Sequence, residues 1–438
     1  MMEASHRRVV IHLDLDCFYA QVEAKRLGID PSTPLAVQQW SGLIAVNYPA
    51  RRLGVKRHLT VAEAKRLVPE LVCVHVETRG GDGRLQAEEG DEEHDATTGA
   101  SDSMERKQGR VESEGVGERT DGTAHDRQTR KVSLRRYRRA SWRVMHALAE
   151  QCACVERASI DEAYIDVTEE VDAATAAESS DTAARAGIAA SGAVVALEPD
   201  VSEPDRRLAI GAAICARVRA AVWRETGYTM SGGVAHNKML AKLASARNKP
   251  DQQTCVSRRA VAEMMGSLPM RAIKGLGGKL GERVEGLMLE QLGAAAGGSA
   301  RGSGRGSSYQ GGFTAAALAA VGPEVLGRRL EARTAAWLAC VARGEDEEAV
   351  VPNVREGVKS VNAFKSFAPV TEAAAVHRWL RVLADELAER LVEDRATHSR
   401  APRHLRSEFR CRTRTPRHTH THAHTHTRAR ARAHAHTL

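Results

Sequence analysis

The chain opens on alternation. Val9, Ile11, Leu13 and Leu15 alternate with Val10, His12, Asp14 and Asp16, the period-two rhythm of a strand buried on one face. A helix is expected to follow from Phe18 to Arg26. In TVAEAKRLVPEL, Thr60 is an N-cap with Glu63 three residues on, a capping box, and Pro69 closes that helix. SWRVMHALAEQCACV repeats apolar residues at helical spacing. HNKMLAKLASARNKP sets Met239, Leu240, Leu243 and Ala244 on one face with Lys238 and Lys242 off it, and Pro250 stops it. Strands and helices follow one another irregularly. The pattern therefore predicts an α+β fold rather than repeated βαβ units.

Three stretches and a tail break the rhythm. Residues 82–130 are charged and rich in Gly and Ser, and such a segment cannot bury enough surface to offset its ordering entropy. Residues 171–205 are Ala-rich and weakly acidic, which predicts a loop with transient helix. Residues 295–312, AAGGSARGSGRGSSYQGG, have the composition of a flexible linker. The tail alternates His-Thr and then Arg-Ala, as a translated dinucleotide repeat does. Its histidines read as repeat-derived, not as a built metal site.

Charge sharpens this division. The net charge is +8 over 438 residues, a length that allows two to four domains. Residues 82–130 carry −7 and residues 169–205 carry −8, whereas the tail from Ser399 carries +9. The remainder is strongly basic, as a body that binds a polyanion would be. The eight cysteines form no CxxC pair, so they read as reduced thiols of an intracellular protein. No unbroken apolar run reaches the roughly 18 residues of a membrane span, and the N-terminus enters a strand pattern without a signal-peptide block.

RASIDEAYIDV, residues 157–167, raises a chemical question. Asp161 and Glu162 sit inside an apolar strand pattern made by Ile160, Tyr164, Ile165 and Val167, with no counter-charge beside them in sequence. Carboxylates there are costly unless a cation binds them. A lone Asp-Glu pair is more often a capped turn with a solvated glutamate. Asp14 supplies a second acidic strand end, however, and oxygen ligands without Cys or His suit Mg²⁺, with Mn²⁺ as a substitute. Two such ions a few Å apart would stabilise a phosphoryl displacement. Nearby segments carry the matching positive charge: Tyr48, Arg51, Arg52, Lys56 and Arg57 in one, Lys249 in another, suited to a triphosphate.

On VVIHLDLDCFYAQVEA, LIAVNYPARRLGVKR, ERASIDEAYIDVT, GGVAHNKMLAKLASARNKP and IKGLGGKLG, the chain resembles the Y-family of translesion DNA polymerases, and within it the branch that bypasses ultraviolet lesions. The resemblance implies an α+β right-hand polymerase. Its palm would comprise residues 1–21 and 79–256 with disordered inserts near 82–130 and 169–205. Fingers would span 22–78, a thumb with a helix-hairpin-helix and the 295–312 linker 257–346, a partial little finger 347–398, and a low-complexity tail 399–438. It makes Asp14, Asp161, Glu162 and the backbone carbonyl of Leu15 the ligands of two Mg²⁺ ions, with Asp161 and Glu162 catalytic and Asp16 outside the main set. Tyr48, Arg51 and Lys249 match triphosphate contacts, Arg57 a contact to the nucleotide, and Phe18 and Tyr19 the sugar platform, with Tyr19 as the gate against ribose. Gln39 matches a template contact, and Gly275, Gly277, Gly278 and Lys279 match contacts to the DNA backbone. Primer–template DNA and deoxynucleoside triphosphates are the implied partners, and the nucleus the implied location. No clamp-binding peptide or ubiquitin-binding zinc finger is visible in the sequence.

Two departures stand out. QQWSGLIAV shortens the finger turn, and after a segment resembling the first strand and helix of a little finger, ATHSRAPRHLRSEFRCRTRTPRHTH carries no further strand pattern. A sheet missing its later strands leaves a bare edge and a half-covered helix, so weakened DNA grip is expected. Two alternatives remain open on the residues: an impaired DNA-binding product of the same family, and another two-metal phosphotransferase such as a nuclease. The second lacks a base to activate water and leaves Phe18 and Tyr19 unexplained.

Overall fold

A computed structural model describes residues 7–81, 126–176, 193–195, 202–295, 312–354 and 358–406. The chain starts with strand β1 (Val10–Leu15) and helix α1 (Phe18–Leu27). Next come β2 (Leu35–Gln39), β3 (Gly42–Val46), short helices α2 (Tyr48–Arg52) and α3 (Val61–Leu67), and β4 (Val72–His75). A two-stranded ladder of β5 (Thr78–Arg79) and β6 (Lys131–Val132) precedes α4 (Arg135–Gln151), β7 (Val155–Arg157), β8 (Glu162–Asp166) and α5 (Thr168–Ala176). Then follow β9 (Ala193–Val195), α6 (Glu203–Thr226), β10 (Met230–Ala235), α7 (Lys238–Ser245) and β11 (Gln253–Val256). The rest is helical: α8 (Arg258–Ser267), a 3-10 turn at Met270–Ala272, α9 (Lys279–Ala295), α10 (Ala315–Val321), α11 (Pro323–Gly327), α12 (Ala332–Ala342) and the long α13 (Ala373–His398). The fold is thus mixed α/β. Among the described residues no helix is long and apolar enough to cross a membrane.

The central sheet runs β7-β8-β1-β10-β11-β9. β1 is antiparallel to both neighbours, whereas β10, β11 and β9 are mutually parallel. On one face, Val9, Ile11, Leu13 and Leu15 pack with Val22 of α1, Val144 and Leu148 of α4, and Leu208 and Val218 of α6. That face is the one the alternation predicted. The other face is not solvated, contrary to a strand buried on one side: Val10 and His12 are also fully buried. Helix α7 covers them, and Val10, Tyr164, Leu240 and Ala244 join a second core with α8, α10 and α12. Gly233 permits this approach, because a Cβ there would lie 2.0 Å from the Ala241 carbonyl oxygen.

A smaller sheet, β3-β2-β4, carries its own core of Ala36, Leu43, Val46, Ala50 and Leu71. Thr60 and Glu63 form the expected capping box of α3, with Thr60 N–H donating to the Glu63 carboxylate at 2.8 Å.

Three expectations need correction. Lys238, placed off the apolar face of its helix, is 2% exposed and donates to Glu156 at 2.8 Å and Glu348 at 2.6 Å; carboxylates from two other segments make its burial tolerable. The stretch 169–205, expected as a disordered insert, includes most of α5, with Val171 fully buried, and β9, which adds a strand beside β11. The strand expected before α13 is not formed among the described residues, where residues 358–372 pair with no neighbour in a ladder. A lone strand without partners leaves its backbone groups unpaired and gains nothing by being extended. Residues 82–125 of the first insert, 296–311 of the linker and 407–438 of the tail lie outside the described residues.

Candidate active site

The site forms where β1 and β8 end together. Asp14 stands opposite Glu162 in the antiparallel ladder, and the Leu15 N–H donates to the Asp161 carbonyl at 2.9 Å. Asp14 thus meets the distant Asp161–Glu162 pair at one sheet end. Ser159 shapes the turn before them: its hydroxyl donates to Asp161 Oδ1 at 2.6 Å and accepts from the N–H groups of Asp161 and Glu162 at 3.2 and 3.1 Å. Burial raises the Asp14 pKa, Lys249 opposes that rise, and the charges of Glu162 and Asp161 add to it. Such mutual repulsion is what a bound cation would relieve.

Counter-charges absent from the local sequence arrive from α7 and the loop after it. Lys249 bonds the Asp14 carboxylate and lies 3.9 Å from Asp16. Lys242 donates to Glu162 Oε1 at 2.5 Å. Asp16 is buried and receives Ser231 Oγ at 2.7 Å, the Asp251 N–H at 2.8 Å, Thr229 Oγ1 at 3.3 Å and the Tyr48 hydroxyl at 3.5 Å. These contacts make it a brace between β1, β10 and the loop before β11. Below the site the His12 ring is held neutral by burial and by Lys242, Lys249 and Lys274, with Nδ1 2.7 Å from Ser245 Oγ.

The donor set fits a hard divalent cation, because the acids that meet here are carboxylates, and the lysines on Asp14 and Glu162 already mark those oxygens as sites for positive charge. Among the described residues no group of three His, Cys, Asp or Glu side chains stands ready as a metal cage; each carboxylate is engaged by a lysine or a serine instead.

Around the acids, Arg51 lies over the Tyr48 ring at 4.8 Å and its Nε–H donates to the Val46 carbonyl at 2.9 Å. The Cys17 thiol is pushed up to about 12 by burial, a rise opposed by the Arg51 guanidinium and Lys249. Burial and the charge of Asp161 raise the Tyr19 phenol, while Arg57 and Arg138 oppose the rise. Tyr19 stacks on Tyr137, centroids 3.9 Å apart and planes within 11°. The Tyr137 hydroxyl donates to the buried Glu23 at 2.6 Å, which Arg136 and Arg26 also grip. This support was not legible in the sequence; a tyrosine on the apolar stripe of α4 was its only trace.

The remaining expected residues have the following settings. Phe18 is 3% exposed and meets Tyr228 edge-on within the main core. Gln39 ends β2 beside a tight turn in which Trp40 has φ 57°. Gly275, Gly277, Gly278 and Lys279 form the turn into α9, on the second core. Gly275 has φ 93°, and Arg271 donates to the carbonyls of Gly277 and Gly278 at 3.3 Å. The functional side chains missed from the sequence are Lys242, Ser159 and Tyr137. Lys242 lies seven residues before Lys249 in the same lysine-bearing segment, and that proximity in sequence was the available signal.

A family model described as impB/mucB/samB matches residues 13–246, a span that contains all three carboxylates. The chain belongs to this family, the Y-family. DNA polymerase eta of Drosophila melanogaster is 31% identical across 92% of this chain and 42% of its own length. DNA polymerase eta of Arabidopsis thaliana is 31% identical across 90% of the chain and 51% of its own. DNA polymerase iota of Homo sapiens is 32% identical across 64% of the chain and 30% of its own. The chain therefore spans about a third to a half of the length of these Y-family relatives.

Proposed function

We propose that this Y-family chain is a template-directed DNA polymerase that copies past lesions, ultraviolet damage among them, by nucleotidyl transfer at the Asp14–Asp161–Glu162 sheet end. The observation that carries the reading is the meeting of Asp14 and Glu162 across β1 and β8, with Asp161 adjacent and Lys249 beside them. The similarity to polymerases eta and iota supports the choice of substrate. In this assignment the central sheet is the palm, the small sheet the fingers, the helices after β11 the thumb, and α13 the remnant of a little finger.

Asp14, Asp161, Glu162 and the Leu15 carbonyl would hold two Mg²⁺ ions, with Mn²⁺ as a substitute. Bound there, the ions supply Lewis-acid stabilisation of charge on the transferring phosphoryl group. The chain's own side chains do the rest. Lys249, Arg51 and the Tyr48 hydroxyl offset triphosphate charge and orient it. Tyr19, propped by Tyr137, presents a flat ring that leaves no room for a 2′-hydroxyl, and Arg57 faces the nucleotide. Gln39 meets the template base, and the turn at Gly275, Gly277, Gly278 and Lys279 offers backbone N–H groups to DNA phosphates. The primer 3′-hydroxyl then displaces pyrophosphate from the α-phosphate. The nucleus is the corresponding location.

One observation favours a second reading, an impaired DNA-binding product: residues 358–372 form no strand, and Phe364 beside α13 is 82% exposed. Primer extension decides between them. The whole chain, given Mg²⁺ and a primed template with or without an ultraviolet-crosslinked pyrimidine pair, should extend primers at low salt. It should lose activity toward physiological salt, since an affinity already lowered by missing phosphate contacts falls further as salt weakens the contacts that remain. Asp161→Ala should cut extension by about a thousandfold or more while leaving the unfolding midpoint in place. Equal extension by Asp161→Ala and the unaltered chain would end the polymerase reading.

A further inference from the structure

Two lysines of α7, one helical turn apart, have opposite settings. Lys238 is 2% exposed, and its ammonium is saturated by both Glu156 oxygens, by Glu348 and by the Ala349 carbonyl. It is locked. The Lys242 side chain is 32% exposed and its ammonium meets a single carboxylate, Glu162, at 2.5 Å. Its backbone is as fixed as that of Lys238, because Gly233 lets α7 press onto β10. A fixed stem with a partly solvated side chain and one partner is built to let go.

We propose that Lys242 is a positioning residue for Glu162: it holds the glutamate carboxylate while no divalent cation is bound and yields it when one arrives. The proposal rests on the polymerase reading above. An ammonium and a divalent cation compete for the same oxygens, and the doubly charged ion wins at contact. The exchange keeps the sheet end compensated throughout, so three neighbouring carboxylates never face one another bare. Lys249 does the same for Asp14, but it has a second acid, Asp16, within 3.9 Å. Lys242 has Glu162 alone among the ion pairs of the described residues.

The test measures Mn²⁺ binding to the whole chain without nucleotide or DNA, by the loss of the free-ion electron paramagnetic resonance signal. Lys242→Met should tighten Mn²⁺ binding about tenfold, and Lys242→Arg should stay within about threefold of the unaltered chain. The unfolding midpoint of Lys242→Met should fall without metal and return to the unaltered value at saturating Mn²⁺. In a Glu162→Gln background the gain from Lys242→Met should vanish. Where Lys242→Met yields no folded protein, Lys242→Gln takes its place with the same expectations. A midpoint lowered equally with and without Mn²⁺, with affinity unchanged, would make Lys242 a plain structural ion pair and overturn the proposal. So would a tenfold gain that persists with Glu162→Gln, since that is a general effect of removing charge. If the unaltered chain binds Mn²⁺ and Asp14→Ala abolishes binding, those outcomes sink this inference alone. If the unaltered chain binds none, the polymerase reading falls with it.

Discussion

The central sheet and the C-terminal arm, residues 358–406, are held by different forces. β1 is paired on both sides and covered on both faces by apolar side chains. The arm has Trp379, Val382 and Glu386 buried along α13, while Val376, Leu380 and Val392 of the same helix stay exposed. Ion pairs do much of the attachment. Lys131 bonds the buried Glu386, Arg79 grips Glu389, and Arg139 meets Glu393 at 3.2 Å. Lys365 donates to the Arg127 and Arg130 carbonyls at 2.6 Å and sits 5.1 and 4.8 Å from the rings of Trp40 and Trp379. Hydrophobic burial scales with area and tolerates salt, whereas ion pairs are directional and partly screened. The site therefore rests on the region that resists perturbation, and the arm can be perturbed without disturbing it.

The hardest test of that contrast breaks the sheet. Gly233→Ala puts a methyl group 2.0 Å from the Ala241 oxygen and 2.4 Å from the Ser245 nitrogen. Neither backbone atom can rotate away, so α7 must lift. A loss of about 3 kcal/mol or more is expected on chemical unfolding, together with loss of primer extension as Lys242 and Lys249 move. A change below about 1 kcal/mol would mean that α7 is not seated by close packing.

A smaller effect is expected in the arm. Glu386→Ala strands Lys131, which is itself buried, and should cost about 2 kcal/mol locally, the range of a hydrogen bond to a charged group. Hydrogen exchange should show faster amides across α13 and unchanged protection in β1. Equal loosening of both would show that the two regions unfold as one unit.

The smallest effect concerns pH. Burial, with Arg127 and Lys131 nearby, lowers Lys365 from 10.5 to about 8. The docked state then binds fewer protons than the undocked one between about pH 8 and 10.5. Arm docking should accordingly strengthen as pH rises through that window. Protection of α13, corrected for intrinsic exchange, should increase from pH 7.5 to 9.5 by a modest factor, because the group is partly solvated. Lys365→Met should flatten the profile; an unchanged profile in that variant would assign the dependence to another group.

What was legible followed from periodicity and local chemistry. The alternation of Val9 to Leu15 located the central strand, and Thr60 with Glu63 located a helix start, because both signals act over a few residues. Tyr137 and Ser159 were not legible as site residues: each works through a partner 118 or two residues away whose position depends on packing, Tyr19 in the first case and Asp161 in the second. Residues 169–176 misled in the other direction. Their composition is weakly acidic and Ala-rich, yet Val171 finds a place in the main core and orders α5.

By itself the sequence determined which residue types were available: three strand-end carboxylates, two lysines seven residues apart, and a basic body able to hold a polyanion. Those are properties of short motifs and of charge counting. Only the tertiary structure decided that Asp14 faces Glu162, because the antiparallel register of β1 and β8 joins segments nearly 150 residues apart. It also decided that Lys242 rather than solvent neutralises Glu162, since the missing side chain of Gly233 lets α7 descend onto the sheet. Side-chain chemistry is local, but the electrostatic cost of three neighbouring acids is settled by whatever the fold brings within a few ångströms.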